Sequence, residues 1–324
     1  MPPTFLSNTD CILSMSLLHL TINMSTKRIN VIESNMKAAV QKSTIPETQM
    51  FIIKKLDDKH FDPVWHSHCE YQLFVVLEGT GTRFIGDSIK SFEPGDLVFT
   101  GANLPHLWRS DEAYFKKDSQ LSVHGIVIYL QENFMGEQMM QKEEMLLVKK
   151  LLKKSARGLE FYGECKDLVT CMMKELILMN GLERLIQLLK ILQVLANSKA
   201  YHYISHTEYS DPVNENETDR MNKVYEYALA NFRSRISLPE LAEILCMTSS
   251  SFSRYFTARN NRTFSKFIIE LRIKYACKLL IETNMPVSLI SYECGFNTLS
   301  NFNKQFKEIM NKKPLEYKIQ FSSI

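Results

Sequence analysis

The sequence predicts an α+β chain: an N-terminal all-β barrel or sandwich, a helical segment behind it, and a C-terminal all-α domain with two helix-turn-helix units. Three observations carry this. Between residues 50 and 129, short runs rich in β-branched and aromatic residues are punctuated by Gly, Pro and Asp. From about Gln131 the apolar residues switch to i, i+3, i+4 spacing. The last hundred residues repeat themselves at an offset of fifty, Phe252 with Phe302, Arg254 with Lys304, Phe256 with Phe306 and Asn261 with Asn311.

The 324 residues suit two domains, and 45% hydrophobic with 23% charged residues is the balance of a packed globular chain. The net charge of +3 is unevenly spread. Residues 219–324 hold 16 Lys/Arg against 9 Asp/Glu, and the remainder holds 23 against 27. A basic C-terminal third on a mildly acidic body points to a polyanionic partner. Seven cysteines are scattered singly with no C-x-x-C pair, which favours reduced thiols over a disulfide framework or a zinc knuckle.

Residues 11–22 are moderately apolar, but no Lys or Arg precedes them and no small-residue cleavage site follows. They are too short to span a bilayer. Residues 1–47 are therefore expected to be a disordered or non-native extension: either the segment is disordered or translation starts near Met24.

The barrel is placed at residues 48–130. Its strands are read at 71–77, ended by Glu78-Gly79-Thr80-Gly81, at 82–85, ended by Gly86-Asp87, at 96–100 after Pro94-Gly95, and at 125–130. Residues 131–206 form the helical region, with helices over 143–154, 167–180 and 182–195. The last carries Leu185, Leu188, Leu189, Leu192 and Leu195 in one stripe, which serves either as core or as a dimer seam. Residues 207–219 are polar, acidic and aperiodic, and read as a linker.

The C-terminal domain fills residues 220–324. Ser237-Leu-Pro-Glu240 is a capping box with an early proline, so a helix starts there. A turn at Cys246-Met247-Thr248 leads into a second helix, capped by Thr248 or Ser249, with Phe252 and Phe256 inward and Asn261 at its left-handed end. In the second copy Ser288 is the expected cap of the first helix, Gly295-Phe296 the turn, and Thr298 or Leu299 the start of the second. A long apolar helix over 263–281 joins the copies.

Two short helices around a tight turn form a helix-turn-helix, whose second helix fits the major groove. The candidate base-reading side chains lie on helices 249–257 and 299–306: Ser250, Ser253 and Arg254, then Leu299, Ser300, Asn303 and Lys304. Arg and Lys suit guanine and Asn suits adenine, while Leu299 offers at most a contact to a thymine methyl. Arg259, Arg262, Lys266, Lys307, Lys312 and Lys313 are the candidate phosphate contacts.

These residues resemble the DNA-binding domain of the AraC/XylS family of bacterial regulators. The resemblance rests on Glu293-Cys-Gly-Phe-Asn-Thr-Leu-Ser-Asn-Phe-Asn-Lys-Gln-Phe-Lys307, on Pro314-Leu-Glu-Tyr317 and on the matching first copy, and covers about a third of the chain. Asn261 and Asn311 stand where the family usually has glycine, and Ser291 where a small Ala is common. The resemblance implies a cytoplasmic, non-enzymatic transcription regulator. It further implies double-stranded DNA, RNA polymerase and a second copy of the chain as partners, with no membrane and no cofactor. Residues 158–163 and the helices after them resemble the family's dimerisation region.

His66-x-His68, Gln72 and Gly79, then Pro94-Gly-Asp96 and Pro105-His106, resemble the two cupin motifs, so the barrel is expected to be cupin-like. In metal-binding cupins three histidines and a carboxylate converge on one cation. Here Gln72 replaces the carboxylate, and Glu70 shares its strand face without reaching the same depth. The expectation is therefore a sensor with no metal, in which Trp65, His66, His68, Gln72, His106 and Trp108 wall a small-molecule effector pocket with an aromatic face suited to a sugar. Two other readings stay open: a metal-dependent cupin enzyme carrying a DNA-binding domain, and an effector-independent regulator whose barrel only dimerises.

Overall fold

The computed structural model describes residues 45–209 and 215–321. The expectations for the N-terminal extension, for Cys11 and for part of the linker fall outside them.

Among the described residues, nine strands form two antiparallel sheets: β1 (Phe51–Asp58), β2 (Tyr71–Glu78), β3 (Gly81–Ile85), β4 (Ser88–Phe92), β5 (Leu97–Thr100), β6 (His106–Ser110), β7 (Val123–Leu130), β8 (Leu159–Phe161) and β9 (Tyr201–Tyr203). The larger sheet runs in the order β1-β7-β2-β5-β8-β9, and the smaller in the order β4-β3-β6. Strands β8 and β9 come from the segment read as purely helical, so the 131–206 region also contributes to the sheet. Neither was visible as a period-2 pattern because each is only three residues long.

The faces of the two sheets meet around Phe61, Phe74, Phe92, Trp108, Val123 and Val127. Gly81 permits the close approach of β3 to β6, since a Cβ there would lie 2.1 Å from the Arg109 carbonyl oxygen. Across the fold, Arg83 of β3 is 1% exposed. Its Nη2 lies 2.8 Å from Glu160 Oε2 on β8, and its Nε 3.4 Å from Asp96 Oδ2. The guanidinium thus links the small sheet to the large one.

Helices α1 (Glu137–Met140), α2 (Leu146–Ser155), α3 (Gly163–Leu176) and α4 (Gly181–Asn197) follow. The leucine stripe of α4 is core, not a seam. Leu188, Leu192 and Leu195 are fully buried against Val169, Met173 and Leu176 of α3, with Leu185 and Leu189 packed at the margin. Exposed apolar side chains of α3, α4 and the turn between them include Leu168, Leu178, Leu182 and Ile186.

The C-terminal domain comprises α5 (Glu215–Asn231), α6 (Leu238–Ile244), α7 (Ser249–Asn260), α8 (Phe264–Glu282), α9 (Val287–Glu293), α10 (Leu299–Met310) and α11 (Pro314–Phe321). Helix α5 begins inside the stretch read as linker. Its Asn222 clamps the backbone of Trp65: the Trp65 N–H donates to Asn222 Oδ1 at 2.7 Å, and Asn222 Nδ2 donates to the Trp65 carbonyl at 3.1 Å. Trp65, Phe84, Ile89 and Leu107 of the β region share one core with α5, α7 and α8. No helix among the described residues is long and apolar enough to cross a membrane.

Candidate functional site

Each helix-turn-helix unit is built by local chemistry. Ser237 caps α6 by accepting the Glu240 N–H at 3.3 Å, Thr248 caps α7 through the Ser251 N–H at 3.2 Å, and Thr298 caps α10 through the Asn301 N–H at 3.2 Å. Asn261 and Asn311 end α7 and α10 with φ of 56° and 55°, in the left-handed region. Helix α9 corrects the expected cap. It starts after Pro286, whose restricted φ pre-sets the first turn, and Ser288 lies inside the helix. The offset between copies is forty-nine residues before the turns and fifty after them, because the second turn, Gly295-Phe296-Asn297, is one residue longer than Cys246-Met247. Gly295 has φ +80°, and a Cβ on it would lie 2.7 Å from the Arg233 carbonyl oxygen.

The two units have separate cores. Phe252 and Phe256 pack with Phe264 and Phe267 in the first, and Phe302 and Phe306 with Phe296 and Tyr317 in the second. The connecting helix α8 contributes to both. Cys277 and Cys294 lie in the second core, where burial pushes their thiols up to about 11 and about 12. None of the six cysteines among the described residues is in a disulfide.

In the β region, His66, His68 and His106 form a cluster in which one ring nitrogen of each lies within 4.8 Å of the others. The segment carrying His66 pairs with the first residue of β6, His66 and His106 exchanging backbone hydrogen bonds of 3.1 and 2.9 Å. The Nδ1 of His66 donates to the Val64 carbonyl at 2.7 Å, and that of His106 to the Leu104 carbonyl at 2.7 Å. His68 Nδ1 lies 3.0 Å from the Glu70 carbonyl, and its Nε2 lies 3.2 Å from the Gln72 side-chain amide. Burial lowers the pKa of all three rings, His106 furthest, and keeps them neutral near pH 7. The buried His106 Nε2 has no hydrogen-bond partner.

A helix-turn-helix family model matches residues 241–320. An uncharacterised HTH-type transcriptional regulator of Bacillus subtilis (strain 168), YdeC, is 30% identical over 99 residues, which is 31% of this chain and 34% of the relative. A second such regulator, from Staphylococcus aureus (strain MSSA476), is 28% identical over 139 residues, 43% of this chain and 18% of the relative. The C-terminal region is an AraC-type helix-turn-helix domain. The chain spans about a third or less of the length of these curated relatives. Among solved structures, the DNA-binding domain of AdpA in complex with a target DNA aligns at TM-score 0.30 and 21% identity, over 31% of this chain and 91% of that one. Fatty-acid-bound ToxT from Vibrio cholerae aligns at TM-score 0.33 and 17% identity, over 85% and 96%.

On the AraC-type domain, Ser250 and Arg254 of α7 and Ser300, Asn303 and Lys304 of α10 are exposed. Ser253 is half-buried and its hydroxyl donates to the Ser249 carbonyl at 2.9 Å. Leu299 is half-buried against the second core, which leaves its side chain little reach toward a base. Among the phosphate candidates, Lys266, Lys307, Lys312 and Lys313 are exposed, Lys312 beside Gln320. Arg259 is ion-paired with Glu217 of α5. Arg262 differs from expectation: its side chain is 8% exposed, paired with Glu270 and stacked over Phe267, because the chain after α7 folds it back onto α8.

Of the six residues expected to wall an effector pocket, His66, His68, Gln72 and His106 come together, with the Trp108 ring 5.6 Å from His106. Trp65 does not join them. It is buried in the contact with α5, its ring stacked on Tyr225 with centroids 6.0 Å apart. The cluster that the sequence reading left without a metal brings one nitrogen from each of three imidazoles to within 4.8 Å of the others. A separate cleft of about 920 Å³ opens between the start of β2 and α2, lined by Tyr71, Glu132, Lys149 and Lys153 among others. Sequence reasoning missed Asn222 and Tyr225. They lie 157 residues or more from Trp65 in the chain, and no local pattern marks them.

Proposed function

We propose that the chain is a sequence-specific DNA-binding transcription regulator, acting as a homodimer in the cytoplasm by binding rather than catalysis. Helices α7 and α10 enter successive major grooves, expected roughly 34 Å apart along one face of the duplex. The observation that carries this reading is the pair of separately cored, side-chain-capped helix-turn-helix units, each presenting exposed polar and basic residues on its second helix. The surplus of Lys and Arg in the same third of the chain supports it. The outward leucines of α3 and α4 are the dimer surface in this reading, RNA polymerase is the further partner, and a small effector binds in the β region. An effector acts only if it binds two arrangements of the β region and the DNA-binding domain unequally.

Genome-wide recovery and sequencing of bound fragments tests the reading. Two short half-sites about one helical turn apart support it, and fragments with no shared motif overturn it. At the recovered site, Arg254→Ala or Lys304→Ala is expected to cost about 1–3 kcal/mol and to relax the preference at particular bases. Lys312→Ala is expected to weaken all sequences alike and to lower the salt slope by about one. Titrations by fluorescence anisotropy at several salt concentrations measure both, and the opposite pattern would mean that the helix faces are reversed.

A further inference from the structure

We propose that the lysine face of α2 binds the phosphate backbone of duplex DNA beyond the half-site read by α7, so that the N-terminal half of the chain also holds the DNA. This rests on the regulator reading above, since the occupant is the same duplex.

The residues before 219 carry 23 Lys/Arg against 27 Asp/Glu, so a positive patch there is not a consequence of overall composition. Helix α2 nevertheless holds four lysines and no acidic residue in its ten positions. Val148, Leu151, Leu152 and Ser155 are buried, which leaves Lys149, Lys150, Lys153 and Lys154 together on the opposite side. Lys149 with Lys153 and Lys150 with Lys154 are then like-charge pairs at i, i+4, which destabilise a helix. Lys153 and Lys154 lie in the last turn, where the helix dipole favours cations. Lys149 and Lys150 lie nearer the middle and gain no such compensation. The lysines that are ion-paired among the described residues are Lys55, Lys90, Lys166 and Lys278. Lys149, Lys150 and Lys153 are exposed and outside that set, although Glu132, Glu137 and Glu208 line the same cleft. Lys154 Nζ stands 5.1 Å over the Tyr201 ring and the Arg157 guanidinium 4.2 Å over that of Tyr203, which carries the positive charge on along β9. A row of unpaired cations that costs the helix stability is repaid by a polyanion.

Continuity with the reading helix selects which polyanion. Tyr209 lines the same cleft as Lys149, Lys150 and Lys153. Its ring packs against the β3–β4 turn, where a Cβ on Gly86 would lie 2.8 Å from it. Its hydroxyl donates to the Arg259 carbonyl at 3.4 Å, in the last turn of α7. Tyr209 thus spans from the lysine-lined cleft to the end of the helix expected in the major groove. Arg259, itself a candidate phosphate contact, and the α2 lysines form one basic path. A duplex that continues past α7 offers that path a negative charge about every 1.7 Å of its axis.

The test uses the full chain and two DNA fragments carrying the selected site. One ends at the half-sites, and the other continues about 20 base pairs, two helical turns, beyond each. The triple variant Lys149→Gln, Lys150→Gln, Lys153→Gln changes exposed side chains, and circular dichroism checks its fold. On the long fragment it should lower the salt slope by about 2.7 per chain bound, at about 0.9 per phosphate contact. Between about 50 and 200 mM salt the wild-type chain should therefore lose about 40-fold more affinity than the variant. On the short fragment the two should bind alike. Hydroxyl-radical footprints should run past the α7 half-site for the wild-type chain and stop there for the variant. Replacing the same three lysines by arginine should keep the slope and the extended footprint. Equal slopes for wild-type and glutamine variant on the long fragment, with the short fragment still bound, overturn the flanking contact alone. An equal fall on both fragments places the lysines inside the half-sites and also overturns it. Lysine-dependent binding to phosphatidylserine vesicles with unchanged DNA slopes assigns the patch to a membrane surface and overturns it as well. Failure of the wild-type chain to bind the short fragment overturns the regulator reading itself.

Discussion

Phe302→Ala is expected to destabilise the second helix-turn-helix unit by about 3–5 kcal/mol and to abolish protection of one DNA half-site while sparing the other. Phe302 is fully buried. Its ring lies 5.2 Å from that of Phe296 at 68° and 5.6 Å from that of Phe306. Truncation removes the apolar burial and leaves a cavity that the α9–α10 turn cannot fill, because Gly295 already abuts the Arg233 carbonyl. Without that core, Ser300, Asn303 and Lys304 lose the rigid helix that presents them. The first unit keeps Phe252, Phe256, Phe264 and Phe267 as its own core. Thermal unfolding of the variant should show an early transition, and footprinting on the selected site should show one half-site open. Simultaneous loss of both half-sites at a temperature where α7 remains folded would show that the units do not bind separately.

Arg83→Ala is expected to cost about 3–5 kcal/mol, since removing one partner of a buried ionic group strands the others. Asp96 and Glu160 would remain in the interior, with only Lys90 beside Glu160. In the wild-type chain burial pushes the Asp96 carboxyl up. For Glu160 burial acts the same way, but Arg83 and Lys90 together hold it below the usual carboxylate range. A carboxyl with a folded pKa below its unfolded value stabilises the fold above the unfolded pKa, and loses that stabilisation as pH falls through the folded one. Removing Arg83 takes away the largest influence lowering Glu160, leaves only Lys90 to oppose its burial, and shifts both carboxyls toward the protonated form. The variant's deficit should therefore be greatest at pH 8 and shrink toward pH 5. Urea unfolding of both proteins at the two pH values measures it. A deficit independent of pH would assign the role of Arg83 to packing of its aliphatic stem.

What was legible in the sequence was what neighbouring residues decide among themselves. Ser237, Thr248 and Thr298 cap helices by bonding an N–H three residues on, and Asn261 and Asn311 end helices by their own tolerance of positive φ. The duplicated Phe spacing showed two units because helical period alone sets which residues face inward. The histidines stood out because His66-x-His68 and Pro105-His106 are motifs of residue type. Ser288 misled because Pro286, two residues earlier, already restricts the backbone where a helix can begin.

The sequence by itself determined the order of elements, the pair of reading helices and the basic character of the C-terminal third. Only the tertiary structure decided which of those residues remain available. It turned Arg262 onto Phe267 and Glu270, spent the leucine stripe of α4 on α3, and moved Trp65 from an expected pocket wall to a contact with α5. It also brought a nitrogen of each of the three imidazoles within 4.8 Å of the others. The physical reason is the same in each case. Periodicity and capping act over a few residues, whereas burial, ion pairing and ligand convergence depend on chain segments that meet only once the sheets and helices have packed.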